Sequence, residues 1–302
     1  MNISTSTSHA LVLAALMTIA PNIQAQDIYL FDMERQPDGY ALTNGKNLTD
    51  REGYDNQPFF TRESASILFA SQRDGNNDIY EYVIETEETR QLTDTPDIPE
   101  YSPMPNLKNT HFTVVRENTV PDQTVWRVQR DTGASEWALQ SREPIGYYMF
   151  NQRGEALLWI RYAYVIHLVR PGESEPIFIS GHAAPSTPKL VPDTNTFSFV
   201  HRQVNGENWV KRLDPATLSI TPVAPLVDAQ IYYGWTMEGT LLTARGSTLM
   251  HWVPGVSTEW REVVDLASFG LRNITRLMVS PDGTKIAIVA ADTKSVMSSK
   301  TD

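Results

Sequence analysis

The chain has 302 residues, of which 41% are hydrophobic and 20% are charged, so it holds enough apolar material for a sizeable core and is not generally disordered. Its formal net charge of −11 argues against binding to nucleic acid, which needs clustered Lys and Arg. It contains no cysteine, which excludes disulfides, thiolate metal sites, cysteine nucleophiles and lipid attachment through cysteine.

The N-terminal segment predicts export. Residues 1–25 contain no Asp, Glu, Lys or Arg, and residues 10–20 form a compact apolar run. A run of about eleven residues is too short to span a membrane as a helix and suits the central region of a signal peptide. No Lys or Arg precedes this run, and a buried N-terminal helix is the alternative. We expect residues 1–25 to be a signal peptide cleaved after Ala25, no membrane span, and a single domain over residues 26–302.

Six short segments with the character of β-strands recur along the mature chain. Each combines aromatic or β-branched residues, and they lie at 27–31, 78–82, 124–128, 164–168, 208–212 and 247–251. The intervals between them are about 51, 46, 40, 44 and 40 residues, which is the period of a four-stranded propeller blade. Six such units predict a six-bladed β-propeller.

A predicted β-hairpin precedes each of the last five segments, over 59–71, 105–116, 148–161, 188–201 and 232–245. A sixth hairpin, 274–290, has no segment after it, whereas the first segment has no hairpin before it. Because these two deficits are complementary, we expect the C-terminal hairpin to supply the inner strands of a blade whose outer strands come from the N-terminus. The predicted fold class is therefore all-β; a two-sheet sandwich or a β-solenoid is the alternative.

Two of the six units carry a recognisable motif. Residues 71–80 read SQRDGNNDIY and are followed by Leu92-Thr93, and a second unit holds Ser280-Pro281-Asp282-Gly283 before Lys285-Ile286-Ala287. This pattern resembles the WD40-like (PD40) repeat of TolB and its relatives. The resemblance implies a propeller that serves as a protein-binding platform. Because strand-like residues begin directly after Ala25, we expect the propeller alone, without the N-terminal domain of full TolB proteins.

No catalytic motif stands out. The oxygen-rich stretch 74–78 lacks the later Glu of a calcium loop and is interpreted as a hairpin turn. Among the histidines, His167 and His251 are placed in third strands and His111 at the start of a second strand, so that only His182 and His201 could share a face. There is no Gly-x-Ser-x-Gly motif. We expect no catalytic residue, no bound metal and no cofactor, although enzymatic activity stays open.

The ends of the second strands form the candidate recognition surface. Aligned by their apolar residues, they place in one column Ser71, Arg116, Arg161, His201, Arg245 and Ala290. Guanidinium groups on one channel mouth would suit carboxylate or phosphate. The alternative is that loop carboxylates neutralise them, namely Glu52, Asp55, Asp97, Glu100, Glu143 and Asp228. Binding would then rest on aromatic residues expected to be exposed, namely Tyr101, Tyr147, Tyr232 and Tyr233.

These observations predict a periplasmic or secreted monomer that binds a protein or peptide partner, with an acidic segment as the expected guest. Arg116, Arg161, His201 and Arg245 are its candidate binding residues. A metal-dependent propeller enzyme, a lyase or hydrolase acting on acidic saccharides, is the second hypothesis.

Overall fold

A computed structural model describes residues 26–291 except 120, 121, 140, 142 and 174. The predicted signal peptide, residues 1–25, lies outside the described residues. The described chain consists of 24 β-strands and one short 3-10 helix, Leu266–Phe269. It contains no helix that is long and apolar enough to cross a membrane.

The strands form six four-stranded antiparallel sheets, as predicted. The chain begins with β1 (Gln26–Gln36) and β2 (Gly39–Asn47). The first blade then comprises β3 (Asp55–Phe60), β4 (Ser66–Arg73), β5 (Asn76–Val83) and β6 (Glu88–Gln91). The second comprises β7 (Glu100–Pro105), β8 (His111–Thr119), β9 (Asp122–Gln129) and β10 (Ser135–Leu139). The third comprises β11 (Ile145–Phe150), β12 (Ala156–Ile160), β13 (Val165–Val169) and β14 (Ile177–Ser180).

The remaining blades repeat this arrangement. The fourth comprises β15 (Lys189–Leu190), β16 (Phe197–Arg202), β17 (Asn208–Leu213) and β18 (Ile220–Pro225). The fifth comprises β19 (Gly234–Trp235), β20 (Leu241–Arg245), β21 (Thr248–Trp252) and β22 (Arg261–Asp265). The chain then adds β23 (Leu277–Val279) and β24 (Lys285–Ala291).

The predicted circular closure is confirmed. The sixth sheet has the order β2-β1-β24-β23, so the N-terminus supplies its two outer strands and the C-terminal hairpin its two inner strands. Strands β1 and β24 pair in unbroken register from Gln26 with Ala291 to Asp32 with Lys285. Lys285 and Asp32 also form an ion pair at the end of this register. We call this sheet the closing blade.

The second strand of each blade packs between neighbouring sheets. Residues 67–70, 157–160 and 286–290 are continuous apolar runs and are almost completely buried, as strands covered on both faces require. The hairpin turn predicted in the stretch 74–78 lies between β4 and β5 and is confined to Asp74 and Gly75, since residues 76–78 already belong to β5. Asp74 and Gly75 at its tip have φ of 51° and 89°, a conformation that Gly, and Asp more than most other residues, adopts readily.

The innermost strands β3, β7, β11, β15, β19 and β23 surround a central channel. Loops between blades enter these strands at one end of the channel, which we call the loop mouth. The hairpin turns that follow them, such as 61–65 and 106–110, lie at the other end, the turn mouth.

Candidate functional site

Arg116 of the predicted column is engaged within its own blade. Its Nε lies 2.7 Å from Glu100 Oε1, and its Nη1 donates to Ser135 Oγ at 2.8 Å. The guanidinium also lies over the ring of Trp126, 4.8 Å from the centroid. Because Trp126 and Ser135 belong to the third and fourth strands, the side chain extends away from the channel. Burial raises the pKa of Glu100, while Thr93 and Arg116 act in the opposite direction.

The other two arginines have separate partners. Arg245 lies 3.5 Å from Asp228, and Arg161 lies 4.0 Å from Glu117. The predicted column is also out of register at Arg161. Backbone bonds to Pro144 and to Pro99 make Arg161 equivalent to Glu117, so Ile160 is the counterpart of Arg116. The strand-end alignment was wrong at this point because it followed apolar residues, and the apolar run of β12 includes Ile160 at the position that Arg116 occupies in β8. The three guanidinium groups therefore form no common cluster of the kind predicted.

Two further candidate residues, His201 and Tyr233, have hydrogen-bond partners of their own. The His201 ring lies 3.2 Å from the side-chain amide of Gln203. Burial and, to a smaller degree, the positive charge of Lys211 lower the pKa of His201. Tyr233 is 1% exposed and donates its hydroxyl to Ser198 Oγ at 2.8 Å. Its expected exposure was wrong, because successive residues point to opposite sides of an extended chain and Tyr232 takes the channel side.

Two layers of side chains line the channel, with one residue from each blade in each layer. The register of the inner strands identifies the layer nearer the turn mouth. Its members are Phe59, Met104, Met149, Lys189, Gly234 and Met278. In the backbone pairing with the second strand of each blade, they lie opposite Leu68, Thr113, Leu157, Ser198, Leu242 and Ala287, respectively. We call them the funnel layer. Two residues earlier in each blade lies the polar layer, Gln57, Ser102, Tyr147, Thr187, Tyr232 and Arg276.

Arg276 occupies the centre of the polar layer. Its Nη2 lies 3.0 Å from the hydroxyl oxygen of Tyr147, which belongs to the blade opposite the closing blade in the ring. The guanidinium carbon lies 5.2 Å from the ring centroid of Tyr147 and 4.6 Å from that of Tyr232. The side chain therefore reaches across the channel axis and contacts two aromatic faces, an arrangement that stabilises a cation.

Two more tyrosines approach this cluster from the loop mouth. Tyr54 is close enough to Arg276, Tyr147, Tyr101 and Tyr232 to interact electrostatically with all four, and burial raises its pKa. The Tyr101 hydroxyl accepts a hydrogen bond from the Asn77 amide at 2.9 Å. Of the predicted aromatic residues, the structure thus brings Tyr101, Tyr147 and Tyr232 together with Tyr54, which the sequence analysis did not select.

Lys189 is the second cation of the channel. It belongs to the funnel layer and lines, together with Arg276, a small cavity of about 40 Å³ between the two layers. Burial and, to a smaller degree, the charge of Arg276 lower the pKa of Lys189 to about 8. Among the residues that the structure describes, no carboxylate pairs with either cation.

The channel is therefore electropositive although the chain is acidic overall. A guanidinium has five N–H donors, and Arg276 donates one hydrogen bond to a protein atom within the described chain. Desolvated charges without a counter-ion are costly, and an anion of the right size would relieve that cost. The site can thus bind a carboxylate or a phosphate, because the planar guanidinium of Arg276 can donate two parallel hydrogen bonds to two oxygens of such a group.

The histidines give no comparable site. His182 is close enough to His201 to lower its pKa. Across the described ranges, however, no group of three or more His, Asp or Glu side chains is placed to hold a metal ion.

Sequence reasoning missed Arg276 and Lys189. The available signal was periodic: Gln57, Ser102 and Tyr147 are spaced by 45 residues, as are Phe59, Met104 and Met149. The next interval is about 40 residues and leads to Thr187 and Lys189, and the following intervals of about 45 and 44 residues lead to Tyr232 and Arg276.

The described chain forms a six-bladed β-propeller, and its candidate functional feature is the pair of channel cations, Arg276 and Lys189, that have no carboxylate partner among the described residues. No protein-family model matches the chain, and no curated protein matches it either.

Solved structures with the same fold include TolB from Acinetobacter baumannii, with 12% sequence identity and a TM-score of 0.56 over 88% of this chain and 63% of that one. The chain thus spans less than two thirds of that TolB. A structure assigned to TolB from Agrobacterium tumefaciens has 10% identity and a TM-score of 0.66, covering 88% of this chain and 98% of that one. An oligogalacturonate lyase from Vibrio parahaemolyticus has 13% identity and a TM-score of 0.56, covering 84% of each chain. At these identities the likeness shows a shared fold.

Proposed function

We propose that the protein is an exported, non-catalytic binding propeller that takes an acidic polypeptide segment at the loop mouth of its channel. The observation that carries this proposal is Arg276, a guanidinium held across the channel between Tyr147 and Tyr232 with no carboxylate partner among the described residues. A Glu or Asp side chain of the partner would supply the missing counter-charge.

The surroundings of Arg276 support a polypeptide as the partner. Tyr54, Tyr101, Tyr147 and Tyr232 present rigid, amphipathic rings, which provide contact area at a low cost in side-chain entropy. Tyr and Arg are also the residue types that contribute most to protein interfaces. The TolB-like neighbours have the same fold, and the predicted signal peptide is consistent with a partner in the periplasm or outside the cell.

The arginine column plays a different part in this proposal. Arg116 is buried against Glu100 and is assigned to stability, whereas Arg161 and Arg245 have carboxylate neighbours at 4.0 and 3.5 Å and remain half-exposed at the same face. We propose that these two contribute at most secondary contacts, since exposed pairs of this kind are worth about 0–1 kcal/mol.

The test is calorimetric titration of the mature protein with a capped hexaglutamate peptide, with hexaglutamine and hexalysine peptides as controls. Arg276→Met should weaken hexaglutamate binding by about tenfold or more, because a hydrogen bond to a charged group is worth about 1.5–3 kcal/mol. Arg202→Met is the matched control: Arg202 ends β16, is exposed, and forms no ion pair within the described chain. Equal affinity of the Arg276→Met protein and the wild type would overturn the proposal.

The second hypothesis, an enzyme acting on acidic saccharides, shares the requirement for a carboxylate-binding group. Its direct test is incubation with oligogalacturonate in the presence of manganese or calcium. Metal-dependent cleavage, lost in Arg276→Met and retained in Arg202→Met, would replace the binding proposal.

Export is tested separately by mass spectrometry of protein purified from the native cell. A mature N-terminus at Gln26 is expected, and retention of residues 1–25 would refute export.

A further inference from the structure

A second cavity, larger than the first, opens at the turn mouth, on the side of the channel away from Tyr54. Its volume is about 980 Å³, which is at the upper end of the range of small-molecule sites. All six members of the funnel layer line it, and they are joined farther out by apolar residues such as Phe150, Leu190 and Trp235. The cavity is therefore a wide funnel that narrows at Phe59, Met104, Met149 and Met278.

The funnel has a single cation at its narrow end. Lys189 lines both the 980 Å³ funnel and the 40 Å³ cavity beyond it, and it has no hydrogen-bond or ion-pair partner for its ammonium among the described side chains. The other funnel-layer members are a phenylalanine, three methionines and a glycine. An occupant must therefore satisfy one positive charge at depth and the apolar funnel layer around it. Farther out the wall also carries polar and charged side chains, namely Arg62, Asn106, His111, Arg127, Asn151, Gln152, Arg170 and Glu173.

We propose that the turn mouth binds a free long-chain monocarboxylate, with its head group at Lys189 and its aliphatic chain in the methionine-lined funnel. The small cavity has room for a head group of a few heavy atoms, since a single water needs about 10–15 Å³ of such volume. Methionine side chains are flexible and polarizable, which lets them pack against an alkyl chain in several conformations.

An alkyl chain suits this wall better than a polypeptide does. A polypeptide buried in the funnel would need partners for its backbone N–H and C=O groups. The narrow layer offers it thioether, phenyl and ammonium groups, none of which accepts and donates as a backbone does. This site opens at the other mouth from the proposed peptide site: it rests on Lys189 and the funnel layer, whereas the peptide site rests on Arg276 and the tyrosines. The two sites adjoin at the small cavity, which Arg276 and Tyr232 also line.

Gly234 permits a test that leaves the backbone unstrained. It is the funnel-layer member without a side chain, its φ lies outside the left-handed region, and an added Cβ would meet the nearest atoms, of Leu277, at an ordinary 3.5 Å. Gly234→Phe should therefore fill the funnel while the propeller folds.

Lys189→Met removes the charge and extends the methionine lining. Lys108→Met is the matched control, because Lys108 lies on a turn at the same mouth and does not line the cavity.

The experiment is calorimetric titration with dodecanoate below its micelle-forming concentration. We expect one molecule to bind per chain, with affinity reduced about tenfold or more in Lys189→Met and in Gly234→Phe and unchanged in Lys108→Met. Butyrate, with the same head group, and dodecyltrimethylammonium, with the same chain length and the opposite charge, should bind far more weakly. Hexaglutamate binding should survive in Gly234→Phe, which distinguishes failure of this site from failure of the peptide site.

The affinity for dodecanoate should also fall as the pH rises through about 8, because Lys189 loses its proton there. Four guanidinium groups of the described chain line the two cavities, Arg62, Arg127, Arg170 and Arg276, and guanidinium groups keep their proton in proteins. Burial raises the pKa values of Tyr148, Tyr232 and Tyr233 around the small cavity and lowers that of His111 on the funnel wall, where Glu173 is the carboxylate among the described residues. No dodecanoate binding, equal binding by Lys189→Met, or equal binding of the cationic amphiphile would each overturn the proposal.

Discussion

Replacing Lys189 with Met should stabilise the protein, and the gain should depend on pH. Burial lowers the pKa of Lys189 from 10.5 to about 8. Each pKa unit corresponds to about 1.4 kcal/mol of difference between the two protonation states, so the charged ammonium costs the folded state at most about 3 kcal/mol at neutral pH. That figure is an upper value because the side chain keeps part of its surface open to the channel. Methionine has a similar length and carries no charge.

The sign follows from proton binding. Between about pH 8 and about pH 10.5 the unfolded chain binds the Lys189 proton more tightly than the folded chain does. The stability of the wild type therefore rises with pH in this interval, and the variant lacks this contribution. The difference between the two proteins should be largest near neutral pH and should fall to less than half of that value by about pH 9.5.

Urea unfolding of the wild type, Lys189→Met and Lys108→Met at several pH values measures this directly. Other titrations are common to the three proteins and cancel in the differences, and Lys108→Met should track the wild type throughout. A less stable Lys189→Met protein at neutral pH, or a difference that does not change with pH, would show that the Lys189 ammonium is not desolvated as described.

The remaining predictions concern the ring and the arginine column. Arg116→Met should destabilise the protein by about 3–5 kcal/mol in urea unfolding, because it leaves the buried Glu100 carboxylate unpaired. Hexaglutamate binding should persist in its folded fraction, and unchanged stability would contradict the assignment of Arg116 to the fold. Deletion of residues 274–302 removes β23 and β24 and should abolish cooperative unfolding altogether; a truncated protein that melts at the parent's temperature would contradict closure through β1 and β24. The milder Ile288→Ala should cost about 2–5 kcal/mol, measured in the same way, because Ile288 is completely buried in β24.

The arginine column shows why strand register limits sequence reasoning about this site. A shift of one residue moves a side chain to the other face of its strand. Irregularities in register interrupt the pairing between first and second strands in three blades, for example between Tyr101 and Met104. Alignment by the last apolar residue placed Arg161 in the column with Arg116, because β12 has the apolar Ile160 at the position of Arg116; the backbone makes Arg161 equivalent to Glu117 instead.

The sequence by itself determined the architecture of this protein. Recurrent strand segments predicted six blades, the unmatched hairpin at 274–290 predicted the closure, and Asp74-Gly75 predicted a tight turn; all three depend on local residue patterns that repeat along the chain.

Only the tertiary structure decided which cations face the channel. Arg276 and Lys189 are 87 positions apart in the sequence and belong to different blades, and they meet because closing the ring brings six inner strands around one axis. Whether a given cation has a carboxylate beside it depends on that packing, since Arg116 and Arg276 are the same residue type and differ in their neighbours alone.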